Sequence, residues 1–545
     1  MKIHTQLIAL IISTLFLQPV HAQKKGIESI NTHDLKTHML FLASDELEGR
    51  ETGEPGLNVA ARYLAVQAEQ LGLKPADPEN GFFQHYIIQE KTYDWSNSHI
   101  TILTSDKDPV VNNRSFFIFP ASGAENILID GEVVFAGYGI NDEEHGYNDF
   151  YNVDIEGKVV LIMNRAPMNE KGTETQFDND KWNGRRNYQY KLQYIYSQHP
   201  KAVLLVYDPK SGIQSIEDIF PGAADYLGTA RSLKNVAGEG YSDNTQPKMV
   251  MIHRTVADQL LEGVGKSLEE LQMEIDKKVT PKSFLLADTR IRIELHVNVN
   301  DLNVSNVFGM IEGSDPVLKD EVVIYLAHYD HVGTDGKGGV YNGADDNASG
   351  TVALIEIAEA FLKEKRHPMR SIGILWVSGE EIGLFGSKYF ADHPLVPIEK
   401  IAAVINLDMV GRTKSKEDEE SSRRGLTIVG ADTVKVIGGL QSKILMDISK
   451  QTLAEMGLNA NYSYNDVNHP ERYFFRSDHI NFARKDIPFL FYSTGTHRNY
   501  HLVSDEEKLI DYDKFLKMTR FSFRAGYNAA QYDGSIEVDD PMSSW

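Results

Sequence analysis

The run Val322-Val323-Ile324-Tyr325-Leu326-Ala327, ended by His328-Tyr329-Asp330, constrains this fold more than any other stretch. Six consecutive apolar residues without polar alternation need burial on both faces, which a strand inside a parallel sheet obtains. A glycine-rich loop follows and carries Asp345-Asp346-Asn347. Ser349 then opens a helical spacing of Val352, Ile355, Ala358 and Leu362. Strand, polar loop and helix make half of a βαβ unit. Its ionisable residues sit just past the carboxyl end of the strand, where open α/β sheets place their sites.

The second half of the chain repeats the pattern. Ser371 to Val377 is an apolar strand that ends at Ser378-Gly379-Glu380-Glu381, Ile401 to Leu407 ends at Asp408, and Ile487 to Tyr492 is followed by a loop with His497 and His501. The mixed-sign charge run Lys414 to Arg424 reads as a solvated loop.

The first half has three textures. Residues 1–22 read as a signal peptide, with Lys2 as the basic start, Leu7 to Leu17 as a short apolar core and Ala22 as the small residue before cleavage. The mature protein is therefore expected to be extracytoplasmic, periplasmic or secreted. No apolar stretch is long enough for a transmembrane segment. Residues 23–110 begin a host domain, with helices expected at His33 to Leu42 and Leu57 to Leu71 around a Gly- and charge-rich loop at 45–56. Residues 111–285 read as a β-rich inserted domain, marked by short β runs bounded by glycine such as Gly157 to Met163. Residues 286–545 return to the host, starting with the alternating strand Arg290 to Val297 and ending in an acidic tail from Ser535. The fold class is thus α/β, a mostly parallel mixed sheet with helices on both faces, interrupted by the insertion.

Composition excludes several functions. The chain has no cysteine, so disulfides, thiolate metal sites and cysteine nucleophiles are ruled out. Its formal net charge of −23 has the wrong sign for nucleic acid.

Four strands each release a candidate ligand at the same end: His328, the pair Glu380 and Glu381, Asp408, and His501. Asp346 adds a fifth position. Two imidazoles with carboxylates suit zinc when no thiolate is present. Five protein ligands exceed the needs of one tetrahedral ion with an open position. Two Zn²⁺ sharing one carboxylate accommodate them and leave room for a bridging water whose pKa the ions lower. Glu380, beside a ligand without being one, is placed to act as general acid/base. Asp330, two residues beyond His328, is placed to accept the other N–H of that imidazole.

The ordered motifs His328-Tyr329-Asp330, Gly343 to Gly350, Glu380 to Ser387, Asn406 to Met409, Ser477 to His479 and His501 to Asp505 resemble the dizinc aminopeptidase family that includes glutamate carboxypeptidases, glutaminyl cyclases and transferrin receptors. The segment 111–285 is similar to a protease-associated domain. The resemblance implies that Asp346 bridges both ions, with a cis peptide to Asn347. His328 and Asp408 would complete one ion, Glu381 and His501 the other, and Glu380 would be the base. His497 competes with His501 for the last position, and Asp505 at the family spacing favours His501. Around the substrate the resemblance points to His331, Asp478, His479, Arg476 and Arg50. The implied activity is hydrolysis of peptide substrates by an aminopeptidase. The alternatives are a dipeptidase or glutamate-type carboxypeptidase, which needs arginines such as Arg50, Arg412 or Arg476 to hold a carboxylate, then a one-zinc glutaminyl cyclase, then a non-catalytic receptor.

Overall fold

The structure is a computed structural model and describes residues 24–77, 79–105, 107–118, 126–177, 180–183, 187–220, 222, 228–234, 236 and 247–542. The expected signal peptide, residues 1–22, and the end of the expected acidic tail lie outside the described residues.

Two compact units divide the chain, one of residues 1–88 with 302–545 and one of 89–301. The insertion is therefore wider at both ends than the expected 111–285. Composition marked its limits, whereas strand pairing sets them. Strand Ser283–Leu295, expected in the host, pairs antiparallel with Ile127–Ala136 and with His99–Thr104, matching Ile293 to both Ile129 and Ile100. The inserted sheet is mixed, because Ile127–Ala136, Val159–Met163, Ala202–Val206 and Lys248–Ile252 run parallel to one another.

In the host unit, the early helices include α1 (Thr32–Leu42) and α2 (Pro55–Leu71). Asn31 caps α1 by accepting the Asp34 N–H at 3.1 Å. Pro55 opens α2, and Gly72, in the left-handed region at φ 89°, closes it. Then come β1 (Val297–Ile311), β2 (Val322–His328), α3 (Gly350–Lys363), β3 (Ser371–Val377), α4 (Phe385–Asp392), β4 (Ile401–Leu407), β5 (Thr433–Gly438), α5 (Lys443–Glu455), α6 (His479–Ala483), β6 (Phe489–Ser493) and α7 (Tyr512–Gln531). The strands lie in the order β1-β3-β2-β4-β6-β5. The four central ones are parallel, while β1 on β3 and β5 on β6 are antiparallel.

The apolar runs are buried as their composition requires. Val322, Ile324 and Leu326 pack on one face with Phe390 of α4 and Phe482 of α6. Tyr325 points to the other face, against Phe361 of α3, and its hydroxyl donates to the Ser522 carbonyl of α7 at 2.9 Å. Helices thus cover both faces. Register matters most for function: Leu326 is opposite Leu375 and Asn406, and Asn406 is opposite Phe491. The carboxyl ends of the four parallel strands therefore stop at one level, and the loops leaving them meet there.

Candidate metal centre

The loops leaving those strands carry two ligand groups. His331, Asp346, Glu381 and His501 offer donor atoms within 4.8 Å of one another, and so do His328, Asp346 and Asp408. Asp346 belongs to both. His328 Nε2 lies 3.4 Å from Asp346 Oδ1 and 3.6 Å from Asp408 Oδ1. His501 Nε2 lies 3.0 Å from both Asp346 Oδ2 and Glu381 Oε2. Donors about 2.0–2.1 Å from a tetrahedral zinc stand about 3.3 Å apart, so these separations fit one ion in each group. Unused donor capacity agrees, because His328 Nε2, His501 Nε2 and Asp408 Oδ1 are buried and make no hydrogen bond.

The main chain presents these groups. After β2 the chain runs beside the end of the segment Asp45–Arg50, the N–H groups of His331 and Gly333 donating to the Arg50 and Gly49 carbonyls at 3.1 and 3.2 Å. Gly49, at φ 67°, sits so close to the Gly333 carbonyl that a Cβ would lie 2.2 Å from it. The peptide Asp346–Asn347 is cis, as the motif resemblance implied. The Asp505 carboxylate accepts the N–H groups of Asp345 and Asp346, each at 3.1 Å, and so holds the shared ligand from behind. Asp330 acts similarly on the other side, accepting the N–H of Glu380 at 3.2 Å, the N–H of Glu381 at 3.3 Å and the Thr52 hydroxyl at 2.9 Å. The His328 Nδ1 partner is the Asp330 main-chain carbonyl at 3.2 Å, with the carboxylate at 3.6 Å. Asp330 thus fixes the imidazole through its backbone and spends its carboxylate on the Glu380–Glu381 turn.

Glu380 belongs to neither ligand group. Burial raises its carboxyl well above the ordinary range. His328 works against that rise, and Glu381, Asp478 and Asp408 add to it. Asp346 is pushed the other way. Burial opposes its charge, but the imidazoles of His328 and His501 outweigh it and hold the carboxyl well below its usual value.

The remaining sequence expectations scatter. His331 stands among the ligands, its Nδ1 2.7 Å from Glu381 Oε1 and its ring edge-on to His501. Asp478 is fully buried near Glu380, with both oxygens unpartnered. His479 is not a pocket residue. It stacks on Phe489 and Phe491 and reaches the Phe474 carbonyl at 2.9 Å, and burial lowers its pKa to about 4. Arg50 is likewise no substrate residue. It is 1% exposed, and all its hydrogen bonds run to main-chain carbonyls: Leu42, Tyr329 at 2.9 Å, Asn342 at 2.8 Å and Gly343 at 3.1 Å. Of the arginines near motifs, Arg476 reaches the pocket wall, stacked over Tyr473. Arg412 is buried against Asn499 and Asp505. His497 points to Asp345 at 3.4 Å, leaving the ligand position to His501.

The pocket opens from Asp346, Glu380 and Asp408 and is walled by Lys435, Ile437, Tyr473 and Tyr500. None of these four was expected from sequence. Tyr500, stacked on His501 at 3.9 Å, adjoins a ligand and could have been found on that ground. Lys435 lies in a β run with no motif near it.

Comparison with known proteins supports the same assignment. Residues 306–525 match the profile described as Peptidase family M28. A probable zinc metalloprotease of Pyricularia oryzae is 25% identical over 265 residues, covering 42% of this chain and 50% of the relative. Leucine aminopeptidase 1 of Trichophyton equinum is 32% identical over 152 residues, covering 27% and 38%. The chain thus spans half or less of the curated relatives it matches. Among solved structures, the aminopeptidase from Aneurinibacillus sp. strain AM-1 aligns with a TM-score of 0.52 at 17% identity, covering 95% of this chain and 98% of that one, a likeness of fold. The segment 306–525, which carries every residue of the candidate centre, is thus similar to peptidase family M28.

Proposed function

We propose that the chain is a zinc-dependent peptidase, in its finer form an aminopeptidase that removes N-terminal residues with two Zn²⁺ bound. The observation that carries this reading is the pair of ligand groups sharing Asp346, with Glu380 beside them and in neither. His328, Asp346 and Asp408 would hold one ion, and Asp346, Glu381 and His501 the other, with His331 against Glu381. When bound, the ions would polarise the scissile carbonyl and acidify water. The chain's own residues do the rest. Asp330 and Asp505 fix the backbone of the base and of the shared ligand, so neither has to reorganise during the reaction. Glu380 takes a proton from the attacking water and returns it to the leaving amine.

Leucine aminopeptidases among the relatives support the choice of end; Arg50 and Arg412 are occupied inside the fold, while Arg476 reaches the pocket wall. The unit Gln89–Asp301 fits a protease-associated-like insertion. Export rests on the residues 1–22, and N-terminal sequencing of the mature protein at Gln23 would establish it. Among the described residues no helix is long and apolar enough to cross a membrane.

The deciding experiment is hydrolysis of aminoacyl-amides and short peptides, each with a free or acetylated N-terminus, by zinc-loaded and chelated protein. Zinc-dependent release of the first residue, abolished by acetylation, is the expected result. Cleavage confined to acetylated or carboxylate-ended peptides would replace the aminopeptidase form with a carboxypeptidase. No cleavage together with no bound zinc would overturn the reading.

A further inference from the structure

The described residues contain three buried lysines, Lys191, Lys435 and Lys514, each 1% exposed. Two of them are saturated. Lys191 donates to the carbonyls of Met163, Asn164 and Arg165, and Lys514 to those of Gly430, Ala431 and Thr433. Lys435 differs: its Nζ has no hydrogen-bond partner. It lies 3.9 Å from the centre of the Tyr464 ring and 4.6 Å from that of Tyr473. Those ring faces offset only part of what an ammonium loses on leaving water. Burial alone accordingly lowers its pKa to about 7, with no carboxylate acting on it.

The strand places this lysine beside the metal centre. In Thr433-Val434-Lys435-Val436-Ile437, alternation puts Lys435 and Ile437 on one face. Opposite them on β6 are Ser493 and Phe491. All four line the pocket that opens from Asp346, Glu380 and Asp408, with Arg476 also on the wall. In a chain of net charge −23, a cationic wall with an unpaired amine is set next to the carboxylates that would hold metal.

We propose that Lys435 is a specificity residue of this pocket and selects peptides bearing an acidic side chain on a residue flanking the bond to be cut. An entering carboxylate would supply the anion and acceptors that Lys435 lacks, while the neutral amide of the same shape would leave it unpaired. The inference rests on the peptidase reading and names its substrate class.

The test compares kcat/KM for peptides that carry Glu, Gln or Leu on either side of the scissile bond. One charge-assisted hydrogen bond is worth roughly ten- to a hundredfold. A preference of that size for Glu over Gln is expected at one of the two positions. Lys435→Met should bring the Glu/Gln ratio close to one, and Lys435→Arg should restore part of it. A wild-type ratio at or below one on both sides, or a ratio that Lys435→Met leaves unchanged, overturns the proposal. If the zinc-loaded protein cuts no peptide, the peptidase reading falls, and calorimetry still decides on Lys435. Glutamic acid α-amide binding about tenfold tighter than glutamine α-amide, lost in Lys435→Met, supports the site, whereas equal binding overturns it.

Discussion

Replacing Arg50 by methionine, close in volume but without donors, should cost the host unit a large part of its stability while touching no ligand. The guanidinium serves four main-chain carbonyls that belong to three segments: Leu42 at the end of α1, Tyr329 just past β2, and Asn342 and Gly343 ahead of the Asp346 loop. Four carbonyls orphaned in a dry interior at about 1–3 kcal/mol each set the loss between about 4 and 12 kcal/mol. Part is returned, because burial has already lowered the Arg50 pKa to about 10 although the carboxylates of Asp330, Asp346, Asp505 and Glu381 favour its charge. We expect a net loss of about 4–6 kcal/mol, against total stabilities of about 5–15 kcal/mol for typical domains. Urea unfolding of the chelated protein, followed by circular dichroism, measures it, and zinc retention should weaken in parallel. Arg50→Lys should recover less than half, since an ammonium lacks the planar fork that reaches separate carbonyls. A loss below about 1 kcal/mol for Arg50→Met would refute the view that this side chain clamps the three segments.

Four further outcomes are expected. Glu380→Gln should lower kcat by about 10²–10⁴-fold with zinc content unchanged, as measured by peptide hydrolysis and metal analysis; loss of zinc would make Glu380 a ligand instead. Asp330→Asn puts an amide N–H₂ against the N–H of Glu380 or Glu381, so zinc affinity in a chelator competition should fall about 10–100-fold while His328, held by the main-chain carbonyl, stays in place. Zinc added at about a thousand times its dissociation constant should stabilise the chelated protein by about 4 kcal/mol per site, read as a rise in melting temperature. The fourth concerns Glu356, raised to about 8 by burial first and then by Glu359 and Asp34, with His38 3.7 Å away and Lys363 on Glu359. The folded chain keeps a proton there that the unfolded chain releases above its ordinary 4.5, so stability should fall as pH rises from 4.5 to 8. The fall is at most about 5 kcal/mol, and Glu356→Gln should flatten it in melts across that range.

The parts of this molecule legible from sequence were those with a local signature. Continuous apolar runs marked β2, β3, β4 and β6, because a strand covered on both faces admits no polar alternation. The polar residues released after each run marked the ligands, since strands that end at one level bring their sequels together. Arg50 was misplaced because adjacency to a motif says nothing of direction: φ 49° at that residue turns its side chain inward to carbonyls contributed by segments distant in sequence. Lys435 was missed for the converse reason. A lone lysine in Thr433–Gly438 looks like the solvated face of an edge strand, and only the pairing of Lys435 with Ser493 puts it on the pocket side. The insertion boundary failed in the same way, because pairing between residues 99–104 and 283–295 leaves no trace in composition.

The even level of the four strand ends has a consequence for how the protein comes into being. Its donors appear in order along the chain, from His328 through Asp346, Glu381 and Asp408, and His501 comes last of them. A chain that stops short of that loop can hold the first group of donors but cannot close the second. A copy nicked ahead of that loop is thus left with an open clasp, because the second donor group closes only once β6 and the loop after it are in place.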